Sequence, residues 1–146
     1  MTTADLQTLL DAEGVEYFTA EELCRLRNPA WAGDRVYTPP RPLWRNIIPA
    51  LHWADALRSV CGPLAVVSGF RPSAYNRLVG GSPKSQHMAF RAVDLRPADP
   101  SQLPLLRQSA IATWQALRRQ GHAVGLGVYN GFIHIDIGYK TRQWRG

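Results

Sequence analysis

Ser85-Gln86-His87-Met88-Ala89-Phe90-Arg91-Ala92-Val93-Asp94 places a histidine and an aspartate seven residues apart. The bend between them runs into a short apolar strand, Ala92-Val93-Asp94-Leu95. Forty residues after Asp94, a second apolar segment, Phe132-Ile133-His134-Ile135-Asp136-Ile137, carries another histidine and another carboxylate. Side chains alternate along a strand, so His134 and Asp136 share one face with Phe132, while Ile133, Ile135 and Ile137 face the core. Polar groups on a strand whose other side is all isoleucine are costly to bury unless they find partners. If the two strands are neighbours, His87, Asp94, His134 and Asp136 converge on one point. Two imidazoles and a carboxylate form a three-ligand zinc set that leaves a fourth position open. From spacing alone, buried carboxylate–histidine hydrogen bonds without a metal are the competing reading.

Upstream of this stretch the chain reads as helical, then irregular, then helical again. Thr3 to Ala12 carries Leu6, Leu9 and Leu10 at helical spacing, with Gly14 beyond as a stop. Thr19 and Glu22 form a capping-box pattern for a short helix ending near Arg27. The proline-rich segment 28–42 is expected to lie on the fold as a surface loop, anchored by Trp31 and Tyr37. Ile47, Ile48, Leu51, Ala54, Leu57, Val60 and Cys61 mark one face of a helix from Trp44 to Val60, with Pro49 in its first turn or at a kink. His52, on this helix, reads as a surface histidine.

Leu64 to Ser68 is a short strand and Ser73 to Leu78 a short helix. Downstream, Asp99-Pro100-Ser101 opens a helix to about Gln120, with Leu105, Leu106, Ile111, Ala112 and Leu117 available to the core. Ala123 to Val128 and Phe132 to Ile137 are expected to pair as a hairpin around Asn130-Gly131. The order predicts one α+β domain over 1–146 with a small, mostly antiparallel sheet. Residues 1–62 form its helical lead-in and 63–146 its site-bearing core.

A chain of 146 residues, 45% apolar and 19% charged, suits one globular domain. The net charge of +6 and the pI near 9.9 favour anionic partners. The basic residues are scattered, with only Arg118 and Arg119 adjacent, so a nucleic-acid partner is not expected. No signal peptide or membrane span is read at the sequence level, which predicts a soluble chain made in the cytoplasm. Cys24 and Cys61 read as buried free thiols. A monomer is the expected state.

Several further motifs complete a pattern. Ser68-Gly69-Phe70-Arg71, Tyr75-Asn76-Arg77 with Val79-Gly80-Gly81, Ser85-Gln86-His87 through Asp94, Gly125-Leu126-Gly127-Val128-Tyr129 and Phe132-Ile133-His134-Ile135-Asp136 follow in order. Together they resemble the zinc D-Ala-D-Ala carboxypeptidases and related phage peptidoglycan endopeptidases, which share a fold with the hedgehog signalling domain. The resemblance runs from about Leu64 to Trp144. It implies one zinc ion held by His87, Asp94 and His134, with Arg71 binding a substrate carboxylate or steadying the oxyanion. It also implies substrate contacts from Ser85 and Tyr129. The activity implied is metal-assisted hydrolysis of peptidoglycan stem peptides or cross-links containing D-amino acids. A phage or prophage lysis or tail-associated enzyme acting on the cell wall would fit a chain without a signal peptide.

Two positions depart from the family pattern. The glycine between the first two ligands is Phe90 here, so the bend must form without that backbone freedom. Many members also carry an acid three residues before the last histidine ligand, where this chain has Gly131. Asp136 then has three possible places: catalytic base beside a His134 ligand, ligand with His134 as acid/base, or a carboxylate that only orients a ligand histidine. The first is the expected one. The alternative to an enzyme is a non-catalytic zinc module that binds cell wall or a protein partner; a virion protein that has lost the metal is a further alternative.

Overall fold

Both short segments that carry the candidate ligands become central strands. In the computed structural model, which describes residues 2–146, five strands form one sheet. They are β1 (Leu64–Ser68), β2 (Ala92–Pro97), β3 (Val124–Val128), β4 (Ile133–Ile137) and β5 (Arg142–Arg145), in the order β1-β2-β4-β3-β5. All neighbours are antiparallel except β5, which runs parallel to β3. The α+β class and the mostly antiparallel sheet are therefore as expected.

The fifth strand was not anticipated. Arg142-Gln143-Trp144-Arg145 has no apolar run, and it pairs because β3 offers an edge of unpaired backbone groups.

Register places the functional side chains in rows. Asp94 on β2 lies opposite His134 on β4, His134 opposite Gly127 on β3, and Gly127 opposite Trp144 on β5. The adjacent same-face row reads Ala92, Asp136, Gly125, Arg142. On the other face Val93, Leu95, Ile133 and Ile135 are fully buried.

Five α-helices accompany the sheet: α1 (Thr3–Ala12), α2 (Ala20–Cys24), α3 (Ile48–Cys61), α4 (Ser73–Leu78) and α5 (Leu103–Arg119). The helix expected from Trp44 divides. Arg41–Ile47 is a 3-10 segment, and α3 begins at Ile48 with Pro49 in its first turn. Only there does the missing proline N–H cost no helical hydrogen bond. Val60 is 57% exposed rather than core, and Cys61, four residues beyond Leu57, closes the buried stripe instead. On α5 the buried positions are Leu106, Ala110 and Trp114 at four-residue steps; Leu105 and Ala112 face outward. Trp114 decides that rotation, since its indole N–H donates to the Val124 carbonyl at 3.0 Å.

The lead-in and the sheet share one core. Leu6, Leu10, Phe18 and Leu23 belong to the same buried cluster as Leu51, Val93, Leu95 and Ile135. The end of α2 also docks directly on the site segment, where the Phe70 N–H donates to the Leu23 carbonyl at 2.8 Å. The Tyr75 hydroxyl accepts from the N–H groups of Arg27 and Asn28 at 3.1 and 3.0 Å. Trp31 stands edge-on to Tyr75, and Tyr37 packs near Phe70, so both loop aromatics lie against site-bearing residues. Cys24 and Cys61 are free and buried, and burial pushes the Cys24 thiol up to about 12. His52 is exposed. Among the described residues no helix is long and apolar enough to cross a membrane.

Candidate metal centre

The turn that carries His87 is tied at several points. The Ser85 hydroxyl accepts from the His87 N–H at 3.2 Å, and the Arg91 N–H donates to the Gln86 carbonyl at 3.0 Å. Phe90 makes the bend itself with φ of +54°, the one positive φ among the described non-glycine residues. The backbone conformation suited to glycine is thus kept by a phenylalanine, whose fully buried ring stands edge-on to Phe70 at 6.0 Å.

His87 Nδ1 lies 2.7 Å from the Gly69 carbonyl oxygen, which can only accept. Nδ1 therefore carries the proton and Nε2 presents a lone pair. His134 is arranged with the opposite nitrogens. Its Nε2 is 2.6 Å from Asp136 Oδ2, so the proton sits there and Nδ1 faces Asp94.

The three inward atoms form a small triangle. His87 Nε2 to Asp94 Oδ1 is 3.0 Å, His134 Nδ1 to Asp94 Oδ1 is 2.8 Å, and the two imidazole nitrogens are 3.2 Å apart. A tetrahedral ion with bonds of about 2.0 Å separates its donors by about 3.3 Å, so the spacing suits one small cation. Two neutral imidazole lone pairs and a carboxylate oxygen also repel unless a proton or a metal lies between them. His87, Asp94 and His134 are all buried, and together they form a group able to hold a metal ion.

Burial opposes charge on each group, and the neighbours decide the outcome. Burial pushes the His87 imidazole below its usual range despite Asp94. For His134 the burial effect is outweighed by its bonds to Asp136 and Asp94, and its pKa is raised. For Asp94 burial is outweighed by His87 and His134, which hold its carboxyl well below the usual range. A ligand carboxylate must be ionised, and this lowering favours the ionised form of Asp94.

Asp136 does not join this triangle; it meets His134 at Nε2, the ring nitrogen turned away from Asp94. Its carboxylate is fully buried behind His134 and is occupied twice, by His134 Nε2 and by a fork from Arg142. Arg142 Nη1 donates to Oδ1 at 3.0 Å and Nη2 to Oδ2 at 2.7 Å. The pair depends on Gly125, because a Cβ there would lie 2.5 Å from Arg142 Nη1 and 2.6 Å from both Asp136 oxygens. Gly127 makes the matching space for Trp144, whose ring would lie 2.6 Å from an added Cβ. The Trp144 ring in turn packs 5.2 Å from that of His134.

Arg71 reaches the cluster from the loop after β1. It donates through Nε to the Ser68 hydroxyl at 2.9 Å, through Nη1 to Asn76 Oδ1 at 3.3 Å and through Nη2 to Asp94 Oδ2 at 3.4 Å. Buried Asn76 passes the connection on, donating to the Ser82 carbonyl at 2.9 Å. Above the triangle opens a cleft of about 760 Å³. Arg71, Ser85, His87, Asp94, Tyr129 and His134 all line it, so each candidate site residue except Asp136 reaches one cavity. Tyr129 stacks on Phe132 at 4.7 Å and accepts from the Trp144 indole N–H at 2.7 Å.

Sequence reasoning missed Arg142 and Trp144, although their alternation after Gly138 puts both on the face of His134 and Asp136. It also missed the Gly69 carbonyl, which no side-chain pattern can show.

An α+β sheet thus carries a buried His/Asp/His group, able to hold a metal ion, at the floor of a cleft. The family model for peptidase M15 matches residues 16–136, and the chain belongs to that family. It is accordingly a metallopeptidase by family. No curated protein matches the chain. The match ends at Asp136, so Lys140, Arg142 and Trp144 of the cleft wall lie beyond the matched residues.

Proposed function

We propose that the protein is a zinc peptidase that cuts peptide bonds in peptidoglycan stem peptides or cross-links, with His87, Asp94 and His134 as the metal ligands. The observation that carries this reading is the triangle of lone-pair atoms, each with its other side fixed by a hydrogen bond. A zinc ion held there supplies Lewis acidity and a bound water whose pKa is near 7.

The chain's own groups then divide the remaining work. Three of the five Arg71 N–H groups are engaged, which leaves two to face a substrate oxygen at the cleft floor. Ser85 and Tyr129 line the same cavity and are the proposed substrate contacts. Asp136 is a positioning residue. It fixes the tautomer and ring plane of His134, and Arg142 supplies the counter-charge that lets a buried carboxylate do so.

Asp136→Asn separates this role from that of a base. Measured by chelator competition, its zinc affinity is expected to fall about 10–100-fold. Full zinc affinity with a lost rate would return Asp136 to proton transfer.

A second reading is favoured by one observation. Among the described residues Asp94 is the only carboxylate lining the cleft, so no free acid stands ready as base. A metal-binding module without turnover would share that feature. Purified peptidoglycan separates the two: the peptidase reading expects released peptide fragments at some pH between about 5 and 9, lost in His87→Ala together with the zinc. Tight zinc with no product across that range would leave the non-catalytic module. Action on the cell wall, including release from a phage, belongs to the same proposal, and the positive charge of the chain suits an anionic wall.

A further inference from the structure

The cleft carries more positive charge than its own carboxylates use. Four cationic side chains line it, Arg71, Lys84, Lys140 and Arg142, against one carboxylate, Asp94. Arg71 is paired with Asp94, and Arg142 with Asp136 directly behind the wall. Lys84 and Lys140 remain. Both are exposed, and no described carboxylate pairs with either; Lys140 has only the face of Tyr139 beside its ammonium, at 5.1 Å.

The two lysines come from different walls. Lys84 stands in the loop just before Ser85, on the side of the first ligand, and Lys140 lies between β4 and β5, on the side of the last. The same bias extends over this part of the chain. After Asp55 the sequence holds twelve Lys and Arg residues and three acids, two of which, Asp94 and Asp136, are buried in the site. A field of one sign over a concave surface concentrates ligands of the other sign.

We propose that Lys84 and Lys140 form a subsite for a substrate carboxylate distinct from any group engaged by Arg71, so that the preferred substrate is an acidic peptide. The inference rests on the peptidase reading above and names its substrate class. The carboxylate belongs to an acidic residue away from the cut bond.

The test uses the zinc-loaded protein and two versions of one stem pentapeptide, L-Ala-γ-D-Glu-L-Lys-D-Ala-D-Ala. In one the α-carboxyl of the glutamate is free, and in the other it is amidated. The free acid is expected to be preferred about fivefold or more, read as kcat/KM where the peptides are cut and as a calorimetric Kd where they are not. In Lys84→Gln/Lys140→Gln that ratio should fall to near one with zinc content and melting temperature retained, and in the parent it should shrink as salt is added. Equal use of the two peptides by the parent protein would overturn the subsite, as would a preference that survives in the double variant. A calorimetric preference without cleavage of either peptide would count against the peptidase reading and leave the subsite standing.

Discussion

Phe90 carries the most unusual backbone of the site. At φ of +54° a side chain with a Cβ costs about 1–2 kcal/mol relative to glycine. The ring is nevertheless fully buried against Phe70, and emptying such a space costs about 3–5 kcal/mol. Packing wins, so the chain keeps a bend that favours glycine without having one. Two truncations at this position separate the terms. Both Phe90→Ala and Phe90→Gly should destabilise, but the glycine variant should be the more stable by about 1 kcal/mol in urea unfolding. That inverts the order found in ordinary helix or strand positions. An alanine variant as stable as the glycine one would mean the strain is absent.

Among the elements, β5 decides the surroundings of the last ligand. It is a short edge strand, yet it delivers Arg142 to Asp136 and Trp144 to His134 across two glycines of β3. The space over Gly127 is the test of that arrangement. Gly127→Ala would set a methyl group 2.6 Å from the Trp144 ring, with β3 backbone on the other side, so the ring and its strand must move. Amide exchange in 143–146 is expected to rise at least tenfold, while β2 and the paired face of β4 stay protected. Unchanged exchange in that segment would show that β5 does not depend on this close fit.

At the scale of the whole molecule, the two buried carboxylates of the site make stability depend on acid. Burial would raise the pKa of Asp136, but the bonds from His134 and Arg142 outweigh it and hold the group below its usual range; Asp94 is lowered as well. A carboxylate whose folded pKa is depressed binds fewer protons in the fold than in the unfolded chain. Its contribution is present above the unfolded value of about 4 and is lost as pH falls through the folded one. The melting temperature of the metal-free protein should therefore drop below about pH 4, and Asp136→Asn should flatten part of that slope. A variant with the parent's slope between pH 2 and 5 would place the acid sensitivity elsewhere. Charge shows a second molecular pattern, since the basic excess gathers after Asp55, where the cleft is, while the segment up to Asp55 has more acids than bases.

What the sequence by itself determined was the local geometry. Period-two alternation put His134 and Asp136 on one face of β4 and three isoleucines on the other, and a seven-residue spacing kept His87 close to Asp94 along the chain. Apolar runs likewise marked four of the five strands. Local pattern could not say which partner each His134 nitrogen faces, because that depends on the strands paired on either side. Asp94 comes from β2 on one flank and Arg142 from β5 on the other, with β3 between β4 and β5. A same-face carboxylate two residues along a strand reads equally well as base, ligand or support. The tertiary structure turned Asp136 to the back of His134, where Arg142 neutralises it and Gly125 leaves it room. The polar strand β5 stayed hidden for the same reason, since what holds it is the open edge of β3 and the glycines beneath its side chains, neither of which is written in its own four residues.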